Sequence, residues 1–127
     1  MTVALWCILI AIFLPYLCTA VAKVGGGYRL RDNHDPRSFA LTLDGFAKRA
    51  YAAQLNSFEI TPAFAAAVIV AHLAGNAELV TINVLSVLFI TSRLLYIICY
   101  LADWAILRSL VWFVGVGLIV SFFFVSI

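Results

Sequence analysis

Two groups of polar side chains interrupt otherwise apolar sequence, and both are spaced to act together. The first is Arg49, Gln54, Asn56 and Glu59; the second is Arg93, Tyr96 and Tyr100. At about 100° per residue, Arg49, Asn56 and Glu59 fall within one quarter of a helix circumference, with Ala52 between them. Arg93, Tyr96 and Tyr100 stand at i, i+3 and i+7 and form one stripe. A charge deep in a bilayer costs about 2.5–3.5 kcal/mol even on insertion scales, so such groups face a partner, a cavity or a ligand. The chemistry is either a buried ion pair that holds two helices in register or a wall that binds an anionic, hydrogen-bonding ligand. Spacing alone leaves both open.

Depth relates the two stripes. If one helix enters the bilayer near Ala50 and the other leaves it near Ala102, Glu59 and Arg93 lie at the same level, about 13 Å in. Antiparallel packing in that register sets Glu59 against Arg93, Asn56 against Tyr96, Ala52 against Tyr100 and Arg49 against Asp103. Both sets of opposite charges are then expected to pair.

The elements that carry these stripes follow from composition. Of 127 residues, 65% are hydrophobic and 11% charged, with a mean hydropathy of +1.11, where soluble domains carry about 25% charged residues. One membrane domain, 1–127, is expected, with spans at about 3–22, 50–74, 79–102 and 109–127, since about 20 residues cross a 30 Å hydrocarbon core. Ala20-Val21-Ala22 resembles a signal-peptide cleavage site, but the missing basic n-region and the length of the run favour a retained span. Pro15 is expected to kink that span. The alanines from Ala63 to Ala74 suit close helix packing. Trp104 and Trp112 read as interfacial anchors. The fold class is all-α: an integral membrane four-helix bundle, up-down-up-down.

Residues 23–49 form the one long polar segment and hold six of the eight Lys and Arg residues. Basic residues concentrate in cytoplasmic loops, which places loop 23–49 in the cytoplasm and both termini on the opposite side. Gly25-Gly26-Gly27 and Asp35-Pro36 mark loop, while Ser38 is expected to cap a helix whose Phe39, Leu41, Leu43 and Phe46 lie at the interface. The net charge of +2 gives no basis for nucleic-acid binding. Cys7, Cys18 and Cys99 lie in apolar runs and read as small hydrophobes. His34 belongs to a solvated loop, and His72 has no second metal ligand near it. No metal motif, catalytic triad or phosphate loop is present. Two deep ionisable groups able to neutralise each other, without a broken-helix repeat, argue against a proton or cation relay.

Arg49, Ala50, Gln54, Asn56, Glu59 and Pro62, followed by Arg93-Leu-Leu-Tyr96-Ile-Ile-Cys-Tyr100, resemble the MAPEG family, the membrane-associated proteins in eicosanoid and glutathione metabolism. Asn33-His-Asp-Pro36-Arg37 and the alanine-rich half of the second span resemble its short bacterial members, which implies a bacterial inner membrane. The resemblance implies a homotrimer with glutathione as co-substrate, bound between neighbouring subunits near the cytoplasmic side, and a lipophilic small-molecule substrate drawn from the lipid bilayer. By motif position the glutathione-binding residues would be Asn56, Glu59, Arg93, Tyr96 and Tyr100, with Arg49 and Gln54 in support. Arg108 would be the catalytic cation that favours the thiolate. Ala52 and Ile60 stand where glutathione-using members often carry arginine and tyrosine. The implied function is a glutathione-dependent transferase or peroxidase acting on lipophilic electrophiles. The alternative is a catalytically inactive MAPEG-fold protein whose polar residues serve helix packing and trimer assembly.

Overall fold

The uncharged N-terminal run folds as helix α1, Val3–Gly25, started by Thr2, whose hydroxyl accepts the Leu5 N–H. The computed structural model describes all residues 1–127. After α1 come a 3-10 turn at Leu30–His34, α2 at Pro36–Leu41, α3 at Gly45–Ala74, α4 at Leu79–Leu101 and α5 at Ala105–Phe124. No strand forms. Helices α1, α3, α4 and α5 are each long and apolar enough to cross a membrane.

In three places a helix runs beyond its expected span. Helix α1 runs on to Gly25, and Gly26 N–H closes it on the Ala22 carbonyl at 2.9 Å. Helix α3 begins at Gly45 rather than Ala50 because Asp44 caps it, accepting the Gly45 N–H at 2.8 Å. At 30 residues α3 is about 45 Å long, so its first turns, with Lys48 and Arg49, extend past the hydrocarbon core. Helix α5 begins at Ala105 rather than Ser109, which moves Arg108 from a connecting segment into a first helical turn.

The loop helix is also corrected. Asp35, not Ser38, caps α2: its carboxylate accepts the Ser38 N–H at 3.1 Å and the Ser38 hydroxyl, and Pro36 at the first helical position has its φ preset. This helix stops at Leu41, short of Leu43 and Phe46. Phe39 and Leu43 turn inward against Ala22, Ala47 and Ala50, whereas Leu41 and Phe46 stay exposed.

The main core forms where small residues let helices approach. Ala4, Cys7 and Ala11 of α1 meet Ala67 and Ala71 of α3 around Phe64. The Phe64 ring stacks on Phe89 of α4 at 4.0 Å and meets the edge of Phe122 of α5 at 6.0 Å. Pro15 cannot donate to the Ala11 carbonyl. The Thr61 hydroxyl of α3 donates to the Ser57 carbonyl at 2.7 Å and shares its one proton with the Ala11 oxygen at 3.3 Å. All three cysteines are buried and free, as their apolar contexts implied.

The end opposite the polar loop is tied by side chains. His72 Nδ1 donates to the Val68 carbonyl at 2.8 Å, which leaves Nε2 to accept the Thr2 hydroxyl at 3.0 Å. Asn83 Oδ1 accepts the Ala4 N–H at 3.0 Å, and Asn76 donates to the Ser126 carbonyl at 3.1 Å. His72, without an assigned role in the sequence, thus anchors the start of α1.

Candidate functional site

Helix α4 runs back along α3. Phe64 meets Phe89, Asn56 meets Arg93 and Arg49 meets Leu101. The antiparallel register expected from matched depth is therefore close to the observed one, but the charge pairs expected from it do not form.

Arg93 is 2% exposed. Its guanidinium lies over the Tyr96 ring at 4.1 Å, and its Nη2 donates to Asn56 Oδ1 at 2.8 Å. The side chain bends toward the loop end of its helix, as long basic side chains do in apolar surroundings, and so reaches Asn56, one turn nearer that end than Glu59. Glu59 itself is turned about 60° further round α3 than Asn56 and is exposed. Its one polar contact is Asn56 Nδ2 at 3.5 Å. The single ion pair of the chain is Arg31 with Asp32, at 3.9 Å in the loop.

The Arg49–Asp103 pair is likewise absent. Arg49 Nε and Nη2 donate to the Leu101 carbonyl at 3.3 and 3.2 Å, satisfying one of the free carbonyls at the end of α4. Asp103 has φ 62° and turns the chain outward into α5.

That turn brings Arg108 back against the second stripe. Its guanidinium sits 4.2 Å from the centre of the Tyr100 ring, and Tyr100 meets Tyr96 edge-on at 5.6 Å. The result is a ladder of cation, ring, ring and cation, Arg93 to Tyr96 to Tyr100 to Arg108. Each cation–ring contact contributes about 0.5–2 kcal/mol. Arg93 Nε and Nη1 and Ser57 Oγ are buried without hydrogen-bond partners, so the polar layer holds donors that the fold leaves unused.

Gln54 departs from the group. It lies about 160° round α3 from Asn56 and lines a separate cavity between α1, α2 and α3. Within one chain, then, Asn56, Glu59, Arg93, Tyr96, Tyr100 and Arg108 share one face, Arg49 closes its loop end, and Gln54 belongs to the opposite one.

The sequence model of the MAPEG family matches residues 3–127, essentially the whole chain. The chain belongs to the MAPEG family. It is an integral membrane protein of that family, with four helices able to span the bilayer. No curated protein matches it, and no solved structure does. The polar residues whose spacing resembled MAPEG are thus set in a MAPEG chain, and all but Gln54 gather on the α3–α4 face.

Proposed function

We propose that this MAPEG protein is a glutathione-dependent transferase or peroxidase acting on lipophilic electrophiles that partition from the bilayer. The observation that carries this reading is Glu59. It is a carboxylate inside an apolar helix that forms no ion pair and lies exposed beside the Arg93–Arg108 ladder. A polar group within a span that the fold does not use calls for a ligand. Helix packing, the alternative role, is served by the Arg93–Asn56 and Arg49–Leu101 bonds, neither of which engages Glu59.

The chemistry of this face suits a zwitterionic peptide. Arg108 and Arg49 offer positive charge to carboxylates, Glu59 offers negative charge to an amine, and Asn56 and the tyrosine hydroxyls offer hydrogen bonds. Glutathione supplies a thiol of pKa about 8.5, reactive as the thiolate, and a nearby cation favours that form. Arg108 fits this role, because its guanidinium lies at the open end of the ladder and is half-exposed. Gln54 faces away and would join the site only from a neighbouring copy, in keeping with a homotrimer whose ligand lies between subunits. Loop 23–49 would lie in the cytoplasm, where glutathione is found.

Purified protein should be stabilised on titration with glutathione, by about 2.7 kcal/mol at a hundredfold excess over Kd, and should conjugate glutathione to chlorodinitrobenzene. Protein that shows neither the thermal shift nor conjugation overturns the proposal.

A further inference from the structure

A left-handed turn closes helix α4 and opens α5. Trp104 N–H donates back to the Cys99 carbonyl at 2.8 Å and Asp103 N–H to the Tyr100 carbonyl at 3.2 Å, the paired bonds that end a helix when the next residue is left-handed. That residue is Asp103, at φ 62° the one non-glycine residue of the chain with positive φ. Aspartate enters this conformation more readily than most side chains, and a β-branched residue scarcely at all. In the same turn the Leu101 carbonyl receives Nε and Nη2 of Arg49 from the start of α3. Asp103 through its backbone and Arg49 through its side chain thus hold one turn, although they do not pair with each other.

The placement of Arg108 depends on that turn. Its N–H donates to the carbonyl of Trp104, the residue after Asp103, at 2.9 Å, and its guanidinium reaches back across the turn to the Tyr100 ring at 4.2 Å. Tyr100 is the fixed side of this contact, packed against Leu14, Cys18, Ala53 and Ile97. Arg108 comes to it from α5, whose first turn takes its phase from the turn before it. A change of one residue in where α5 begins rotates Arg108 by about 100°, away from the ring. A cation acts strongly on an ionisable neighbour only within about 4–6 Å, so the direction of Arg108 decides whether a thiolate beside it is favoured.

We infer that Asp103 and Arg49 are positioning residues for Arg108: the left-handed turn at Asp103, tied to α3 through the Leu101 carbonyl, aims the cation that favours the thiolate. This inference rests on the glutathione reading above and adds to it the part of the fold that sets the cation in place. Two of the three Arg49 nitrogens are committed to Leu101, so Arg49 acts on the thiol through the turn and not by touching it.

Tyr100 replaced by 3-fluorotyrosine reads the placement of Arg108 without glutathione. Its fluorine resonance should move in Arg108→Gln, which marks loss of the cation from the ring. Asp103→Val and Asp103→Gly remove the same charge, but only glycine takes a positive φ freely, so the resonance should move in Asp103→Val and stay in Asp103→Gly. Arg49→Met, which keeps the stem and loses the donors, should move it as well, and it serves if Asp103→Val does not fold. In conjugation of glutathione to chlorodinitrobenzene, the pH profile of kcat should give a thiol pKa higher by about 1 in Asp103→Val than in Asp103→Gly, a difference that a general loss of stability does not produce. A resonance unmoved by Arg108→Gln, by Asp103→Val or by Arg49→Met, or equal thiol pKa values in the two Asp103 variants, overturns the inference. If the wild-type protein does not conjugate glutathione, the glutathione reading fails, and the fluorine comparison alone still decides whether this turn places Arg108.

Discussion

At the scale of single residues, Arg93 and Glu59 exchange the importance their charges suggest. Arg93 is buried, stacked and hydrogen-bonded, whereas Glu59 is exposed and unpaired. Arg93→Ala removes the ring contact, strands Asn56 and opens a cavity, so it should cost about 3 kcal/mol in reversible unfolding from mixed micelles. Glu59→Gln should change the same unfolding free energy by less than about 0.5 kcal/mol while weakening glutathione binding. Equal destabilisation by the two would restore the ion pair. The residues of this face were legible because helical periodicity turns sequence spacing into angle. The partner of Arg93 was not, because a flexible four-bond side chain chooses among acceptors one turn apart, and that choice depends on which way it bends.

At the scale of elements, α1 and α3 are joined through a proline defect. Thr61, bonded to the Ser57 carbonyl, shares its hydroxyl proton with the Ala11 carbonyl that Pro15 leaves without a donor. Thr61→Val should destabilise the protein by about 0.6 to 1.7 kcal/mol, the range of interhelical hydrogen bonds in membranes. In a Pro15→Ala background, where α1 supplies its own donor, the same change should cost less, and a double-mutant cycle on unfolding free energies reads the difference. Helix α2 depends on Asp35, whose carboxyl is held below the usual carboxylate range, first by the Ser38 hydroxyl and then by the Ser38 amide. A group with a lowered folded pKa stabilises above its unfolded value, about 3.9, and loses that contribution as pH falls through the folded value. A spin label at position 41 should therefore gain mobility only in that acid range. With Asp35→Asn, which still caps but does not titrate, the acid step should vanish. The cap was misplaced on Ser38 from sequence because serine and aspartate are both good caps, and here the two bond each other.

At the scale of the whole molecule, the residues expected at one site divide between two faces of α3, Gln54 on one and the remainder on the other. If neighbouring copies complete the site, Gln54→Ala and Asn56→Ala should each lower glutathione turnover when expressed alone. Co-expressed, they should regain it at about one site in four of a random trimer, because some interfaces then join two intact faces. Mixed assemblies with no more activity than the single variants would place the whole site within one chain. Crossing of the bilayer was legible from composition, since long uncharged runs have one low-energy solution in lipid.

The sequence by itself determined the four membrane-spanning helices, the family, the antiparallel register of α3 and α4 and the face shared by Asn56 and Glu59. All of these follow from hydropathy and from a fixed angle and rise per residue. Only the tertiary structure decided that Arg93 bonds Asn56 and not Glu59, that Arg49 closes the end of α4, and that Arg108 reaches Tyr100. Those outcomes turn on where side chains bend and where helices start, and the competing arrangements differ by single hydrogen bonds of about 1 kcal/mol. Periodicity has no power over differences of that size; packing does.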